Sequence, residues 1–186
     1  IDELNNIYDY CNYIAEVDLA KELASLLKDE RSVDGIKKYD SDEIEKIFTK
    51  IKKESHIEFS KEQEEAILMA FTEPIVIITG GPGTGKTTIV HAILKMYLRL
   101  NGDNSTLAES IALLAPTGRA AKRLKESTNM NASTIHKFLG YQGENYFEYS
   151  KTNKTSARLI IVDEASMMDL PLASRLITSM HDDARL

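Results

Sequence analysis

The stretch Ile75-Val-Ile-Ile-Thr-Gly-Gly-Pro-Gly-Thr-Gly-Lys-Thr-Thr88 decides the fold. Within it Gly80 is followed after four residues by Gly85, Lys86 and Thr87, the spacing of a phosphate-binding P-loop. The apolar β-branched run Ile75–Ile78 precedes the loop, and Ile89, Ile93, Leu94, Tyr97 and Leu100 follow it at helical spacing. The context is therefore strand, glycine loop, helix. Such a loop turns backbone N–H groups inward on an anion, and the first turn of the helix adds its unpaired donors and positive dipole end. Gly81, Pro82, Gly83, Thr84, Gly85 and Thr88 form the expected cradle, Lys86 reaches the β and γ phosphates, and the Thr87 hydroxyl ligates Mg2+.

Downstream, Arg158-Leu-Ile-Ile-Val162 reads as a buried strand that ends in Asp163-Glu164. An aspartate at the carboxyl end of a strand neighbouring the P-loop strand can share a magnesium ion with Thr87, and the adjacent glutamate can orient and deprotonate water. Between the two motifs, Ile111–Ala115 is a second buried strand that runs into Pro116-Thr-Gly-Arg-Ala-Ala-Lys-Arg-Leu124. Arg119, Lys122, Arg123 and Lys125 put positive charge at the start of a helix, on the sheet edge where open α/β folds hold ligands. A solvated basic helix face is the competing reading. Ala132–Leu139 has a short helical pattern with Thr134 and His136 near its start, the histidine being either a packed or capping group or a ligand contact. Gly140–Ala157, with Tyr141, Phe147 and Tyr149 among polar residues, fits a short hairpin whose rings either stack on bases or cover its inner face. Asp169 begins a further helix, and Arg185-Leu186 resembles the first step of a fourth strand.

Upstream, apolar residues from Leu4 to Leu27 fall on a helical stripe, and Cys11 on that stripe reads as a core thiol. Asp40 and Glu43 resemble a capping box before the helical face of Ile44, Ile47, Phe48 and Ile51. Lys50, Lys52 and Lys53 read as a solvated face. Ser60 caps the next helix, and Gln63 three residues later has two readings. It is the second half of a capping box, or an amide that both donates to and accepts from an adenine edge. Asn101 to Ser110 is expected to be a surface loop.

A chain of 186 residues with 42% hydrophobic content is long enough to bury a core. No apolar run approaches the roughly 18 residues of a membrane span, and no secretory leader is visible. The single cysteine fits a reducing, cytoplasmic compartment. The net charge of −6 resides in residues 1–58, which hold 15 acidic and 9 basic side chains, whereas residues 59–186 hold 14 of each. The acidic balance thus lies outside the P-loop part and does not argue against nucleic acid. The expected organisation is a small all-α domain over 1–58, followed by an α/β P-loop domain over 59–186 with a parallel sheet flanked by helices and a hairpin insertion at 140–157. Because Ile1 is not an initiator methionine, the chain is expected to be part of something longer.

Phe59-Ser-Lys-Glu-Gln-Glu-Glu-Ala-Ile67, Thr79–Thr88, Ala115–Leu124, Ala132–Gly140 and Ile160–Asp169, in this order, together resemble the first RecA-like motor domain of RecD-like superfamily 1 DNA helicases, the exodeoxyribonuclease V alpha-subunit type. The helical stretch Tyr13–Leu27 is similar to the segment preceding the motor in longer members. The resemblance implies ATP with Mg2+ as nucleotide and cofactor, and 5′ to 3′ movement along single-stranded DNA toward duplex junctions, alone or with nuclease and helicase subunits. It implies that Gln63 reads adenine, that Lys86, Thr87, Asp163 and Glu164 hold the phosphate, metal and base roles, and that Pro116, Thr117, Gly118, Arg119, Thr134 and His136 contact DNA. It also gives Gly140–Phe147 the place of a duplex-splitting pin. The Gly-Asp-x-x-Gln γ-phosphate sensor and the second motor domain with its arginine fingers are absent from these residues. A nucleotide-binding switch that unwinds nothing is the alternative from a different functional class.

Overall fold

The computed structural model describes residues 7, 9–28, 37–81, 83–102, 105–144 and 146–186. The order is α1 (Tyr10–Leu27), α2 (Ser41–Ser55), α3 (Lys61–Thr72), α4 (Lys86–Asn101), α5 (Ser105–Ala108), β1 (Ile111–Ala115), α6 (Gly118–Thr128), β2 (Ala132–Thr134), α7 (Ile135–Phe138), β3 (Tyr141–Gly143), β4 (Tyr146–Phe147), β5 (Leu159–Val162) and α8 (Leu170–Ser179). One 3-10 turn, Ala165–Met167, precedes α8.

The central sheet is parallel with order β2-β1-β5. Leu113 pairs with Ala132 on one side of β1 and with Ile161 on the other. The sheet continues past β5: Arg185 bridges Leu159 in parallel, Leu186 N–H donates to Pro74 O (3.0 Å), and Val76 N–H donates to Leu186 O (2.8 Å). Those last two bonds flank Ile75 and are the parallel pattern. Arg185-Leu186 thus takes part in the sheet as a fourth member and lies between the P-loop run and β5. The expectation that the Asp163 strand directly neighbours the P-loop strand is corrected accordingly.

Side chains alternate across the sheet because successive Cβ atoms point to opposite faces. Ile111, Leu113 and Leu159 enter one apolar cluster with Ile44, Phe48 and Ile51 of α2, Ile67 and Phe71 of α3, and Ile89, Ile93, Met96 and Tyr97 of α4. Ala112, Leu114 and Ile160 enter the other, with Ile135 of α7 and Leu172, Leu176 and Ile177 of α8. Both faces are covered, which is why Ile111–Ala115 and Leu159–Val162 read as unbroken apolar runs.

α1 lies along α8, and α2 along α4. Cys11 is exposed, against the core-thiol expectation. An 18-residue α1 spans about 27 Å and a 10-residue α8 about 15 Å, so the start of α1 runs past its partner; Leu19 and Leu23 touch the α8 cluster. Leu4 and Tyr8 of the stripe lie outside the described residues. Two further boundaries differ from the sequence reading. Ala132–Thr134 is a strand before the α7 turn, and the expected loop after Asn101 holds α5. Among the described residues no helix is long and apolar enough to cross a membrane.

Since Phe48 fills the same cluster as α3, α4 and β1, Phe48→Ala is expected to lower stability by about 3–5 kcal/mol. Urea denaturation should shift as one transition. A separate melt of α2 that leaves the remainder unshifted would contradict this packing.

Candidate functional site

The P-loop run is extended from Ile75 to Gly80 and meets α4 through Gly83 (φ 77°) and Gly85 (φ 83°). Gly85 is the N-cap of α4 and supplies no side-chain cap bond. Ile89 N–H is the first helical amide to reach a carbonyl, Gly85 O at 3.0 Å. Lys86, Thr87 and Thr88 therefore keep the donors that every helix start leaves over, pointing along the positive end of a 16-residue helix. Thr84 Oγ1 donates to Gly81 O (2.9 Å), and the Lys86 ammonium donates to Gly80 O (2.6 Å) and Gly81 O (2.9 Å). The loop thus turns its carbonyls toward lysine and leaves its amide side for an anion. These residues fit a triphosphate. Pro82 lies outside the described residues.

Gln63 fulfils its structural reading. Ser60 N–H donates to its Oε1 (3.0 Å), and Gln63 N–H donates to Ser60 Oγ (3.3 Å), completing a reciprocal capping box. Its Nε2 also donates to Thr84 O in the P-loop (2.9 Å). An amide has two donor hydrogens and two acceptor lone pairs, so one of each is left over for a further partner. A Cβ on Gly85 would sit 2.5 Å from that Nε2, and one on Gly80 would sit 2.6 Å from Thr84 Oγ1. Beside the loop, a cavity of about 480 Å³ is lined by Gln63, Met69, Ile75–Gly80, Thr84 and Lys86. Ile77 on its wall is 83% exposed, since this run is the outer edge of the sheet. At its rim the Ser60 hydroxyl bonds Glu62 and holds that carboxyl below its usual range.

Asp163 continues β5 by one residue, its N–H donating to Leu114 O (2.9 Å). Its Oδ1 accepts from Glu164 N–H (3.0 Å); its other oxygen has no protein partner among the described residues. Glu164 has φ 55°, the left-handed region that non-glycine residues adopt at a cost, and its side chain is exposed. Because β5, Arg185-Leu186 and the P-loop run are parallel, Asp163 and the P-loop emerge from the same edge of the sheet. Two strand spacings separate them laterally, roughly 10 Å. Thr87 and Asp163 both carry oxygen donors, the ligand type that magnesium takes, and both belong to this edge.

The next two strands deliver the remaining predicted residues to the same edge. Pro116-Thr117 follows β1, and Thr134 ends β2 in register with Ala115. Thr117 Oγ1 accepts from Ala120 N–H, and Thr134 Oγ1 accepts from Lys137 N–H, both at 3.2 Å. Both threonines are N-caps, a local role that the sequence reading did not assign them. Gly118, Arg119 and His136 are exposed. Two contributors were missed. Arg185, a residue 5% exposed, bonds the carbonyls of Glu73 (2.8 Å) and Lys37 through its guanidinium, which lies over the Tyr39 ring; the Arg175 guanidinium lies over Phe147. An arginine between apolar neighbours near the chain end was the available signal for the first.

Gln63→Ala should cost about 1 kcal/mol through the lost cap and weaken nucleotide binding as well. Gln63→Glu keeps the Oε1 acceptor for Ser60 and removes the donor to Thr84. It is expected to hold stability within about 0.5 kcal/mol while still weakening binding of a fluorescent nucleotide. Equal binding by the glutamate variant would separate the Thr84 contact from loop function.

The profile of the AAA domain family matches residues 63–186. Among curated proteins, the chain is similar to the RecBCD enzyme subunit RecD of Haemophilus influenzae, 38% identical over 146 residues that cover 67% of this chain and 22% of that one. It is similar to the RecD subunit of Mycolicibacterium smegmatis, 33% identical over 144 residues (68% and 26%). It is also similar to the ATP-dependent RecD2 DNA helicase of Deinococcus radiodurans, 37% identical over 127 residues (68% and 17%). The chain spans only about a sixth to a quarter of the length of these relatives. The match begins at Gln63 and takes in the P-loop, the Asp163-Glu164 tip and every strand of the central sheet, and on that ground the chain belongs to the AAA domain family, with RecD-type helicases as its homologues.

Proposed function

We propose that this chain is the nucleotide-binding half of an ATP-dependent DNA helicase or translocase that moves 5′ to 3′ on single-stranded DNA. The observation that carries the reading is the common sheet edge, on which the P-loop, the Asp163-Glu164 tip and the Pro116–Arg119 and Thr134–His136 turns all open. Lys86 exchanges its contacts with Gly80 and Gly81 for the β and γ phosphates, and the amides of the loop and of α4 hold the remaining oxygens. Thr87 and Asp163 hold magnesium, which when bound neutralises charge on the phosphates. Glu164, exposed on its strained turn, orients a water and accepts its proton. The free donor and acceptor of Gln63 read the adenine edge.

In this reading residues 1–58 form an accessory helical unit on a motor domain over 59–186, with a hairpin insertion at 140–157. The intact enzyme supplies a second motor domain that closes over ATP and adds arginine to the transferring phosphate, a contribution worth roughly a thousandfold or more in rate. Single-stranded DNA and duplex junctions are the proposed substrates. A larger helicase-nuclease assembly is the proposed setting, in keeping with the RecD relatives being subunits of a RecBCD enzyme.

Lys86→Ala in the full-length protein is expected to lower DNA-stimulated ATP hydrolysis at least about a hundredfold, with an unchanged circular dichroism spectrum. Turnover at the wild-type rate would remove the catalytic assignment. Single-stranded DNA should stimulate the wild type in a salt-sensitive manner; indifference to DNA would favour the nucleotide switch.

A further inference from the structure

The short hairpin β3–β4 forms a ring cluster with α7 and α8. Tyr141 pairs with Phe147 across the hairpin, so the two rings share one face; past a register shift Tyr146 pairs with Gly143, and, next in the chain to Phe147, it alternates to the other face. Tyr141 and Phe147 have ring centroids 4.9 Å apart. The His136 imidazole meets the Tyr141 edge at 5.3 Å and stacks on Phe147 at 6.0 Å, and the Arg175 guanidinium lies 4.8 Å over Phe147. Phe147 is thus the supported centre of the group. Tyr141 leans on it and remains 44% exposed.

The hairpin is fixed at its base. Glu148 N–H donates to Gly140 O and Tyr149 N–H to Leu139 O, both at 3.2 Å, and Asn153 Nδ2 donates to Glu148 O at 2.9 Å. Gly140 has φ 66°, and a Cβ there would meet Glu148 Cβ at 2.5 Å. A ring held this way loses little freedom on binding a flat partner. α7 follows directly from β2, one strand over from the Pro116–Arg119 turn, and the exposed Lys137 is the next residue after His136, which packs on the Tyr141 ring, at the sheet edge proposed above for DNA. Positive charge to track the backbone next to an aromatic face for a base is the arrangement that single-stranded nucleic acid requires.

We propose that Tyr141, backed by His136, Phe147 and Arg175, is a stacking platform for one base of single-stranded DNA. The proposal rests on the DNA-motor reading above and adds a residue-level contact to it. In the full-length protein, fluorescence anisotropy with labelled oligothymidylate is expected to show Tyr141→Ala binding about 5- to 150-fold more weakly. The slope of affinity against salt should be unchanged, because the phosphate contacts are kept. Tyr141→Phe should bind as the wild type does. Tyr146→Ala, on the opposite face, should lose less than about twofold. An oligonucleotide with abasic sites should bind the wild type and Tyr141→Phe more weakly than the intact strand does, whereas Tyr141→Ala should not distinguish the two. If alanine unfolds the hairpin, the abasic comparison on Tyr141→Phe still decides. Wild-type affinity in Tyr141→Ala, equal loss in Tyr146→Ala, or indifference of Tyr141→Phe to abasic sites overturns the platform alone. Failure of the wild type to bind oligothymidylate overturns the DNA reading and the platform together.

Discussion

The site depends on one rung of hydrogen bonds. Leu186 accepts from Val76 N–H and donates to Pro74 O, and this is what joins the P-loop run to the sheet that carries Asp163. Arg185 secures the rung from both sides: its backbone pairs with β5, and its buried guanidinium bonds the carbonyls of Glu73 and Lys37. A buried charge is costly unless its donors are used. Here the acceptors are backbone carbonyls on either side of α2 and α3, and Tyr39 covers the guanidinium with its ring. One side chain therefore fixes the start of the P-loop run, the approach to α2 and the last strand at once.

From that rung the parallel sheet does the rest by geometry. Parallel strands emerge in one direction, so whatever follows the P-loop run, β5, β1 and β2 is delivered to one edge in lateral order. The loop itself is shaped from a second direction. Gln63 anchors its amide in the α3 cap and extends the other end to Thr84 O, so the start of α3 and the conformation of the loop are set together. Gly85 is required twice over, by its positive φ and by the space the Gln63 amide occupies.

The parts legible in the sequence were those whose chemistry is local. A P-loop declares itself because glycines, lysine and threonine must sit at fixed spacing, and Asp163-Glu164 because a pair of acids ends an apolar run. The two strands buried on both faces were legible for the same reason, since Ile111–Ala115 and Leu159–Val162 have no polar interruption. The capping box at Ser60 was legible too, and the structure shows it, with one donor and one acceptor of the Gln63 amide left beyond the cap and the Thr84 bond. What sequence did not give was register and partnership. Cys11 fits the α1 stripe but is exposed, whereas Leu19 and Leu23 further along α1 meet the α8 cluster. Thr117 and Thr134 resemble ligand contacts but are first of all helix caps. The insertion of Arg185-Leu186 between the two motif strands is a long-range pairing with no local signature.

In the motor proposed above, the lateral order also bears on how the nucleotide and DNA sites are connected. Asp163 N–H is bonded to Leu114 O, one residue before the end of β1, and Ala115 is in register with Thr134. The acidic tip and the two turns assigned to DNA are thus consecutive along the edge, each one strand spacing, about 4.8 Å, from the next. Glu164, in the left-handed conformation directly after the tip, is the strained element nearest to the ladder. Asp163 is one hydrogen bond from the Leu114 carbonyl, and β1 runs straight into the Pro116–Arg119 turn. In a motor built on this edge, the coupling needs no distant pathway, because the nucleotide-side carboxylate and the DNA-side turn share a hydrogen-bonded strand pair.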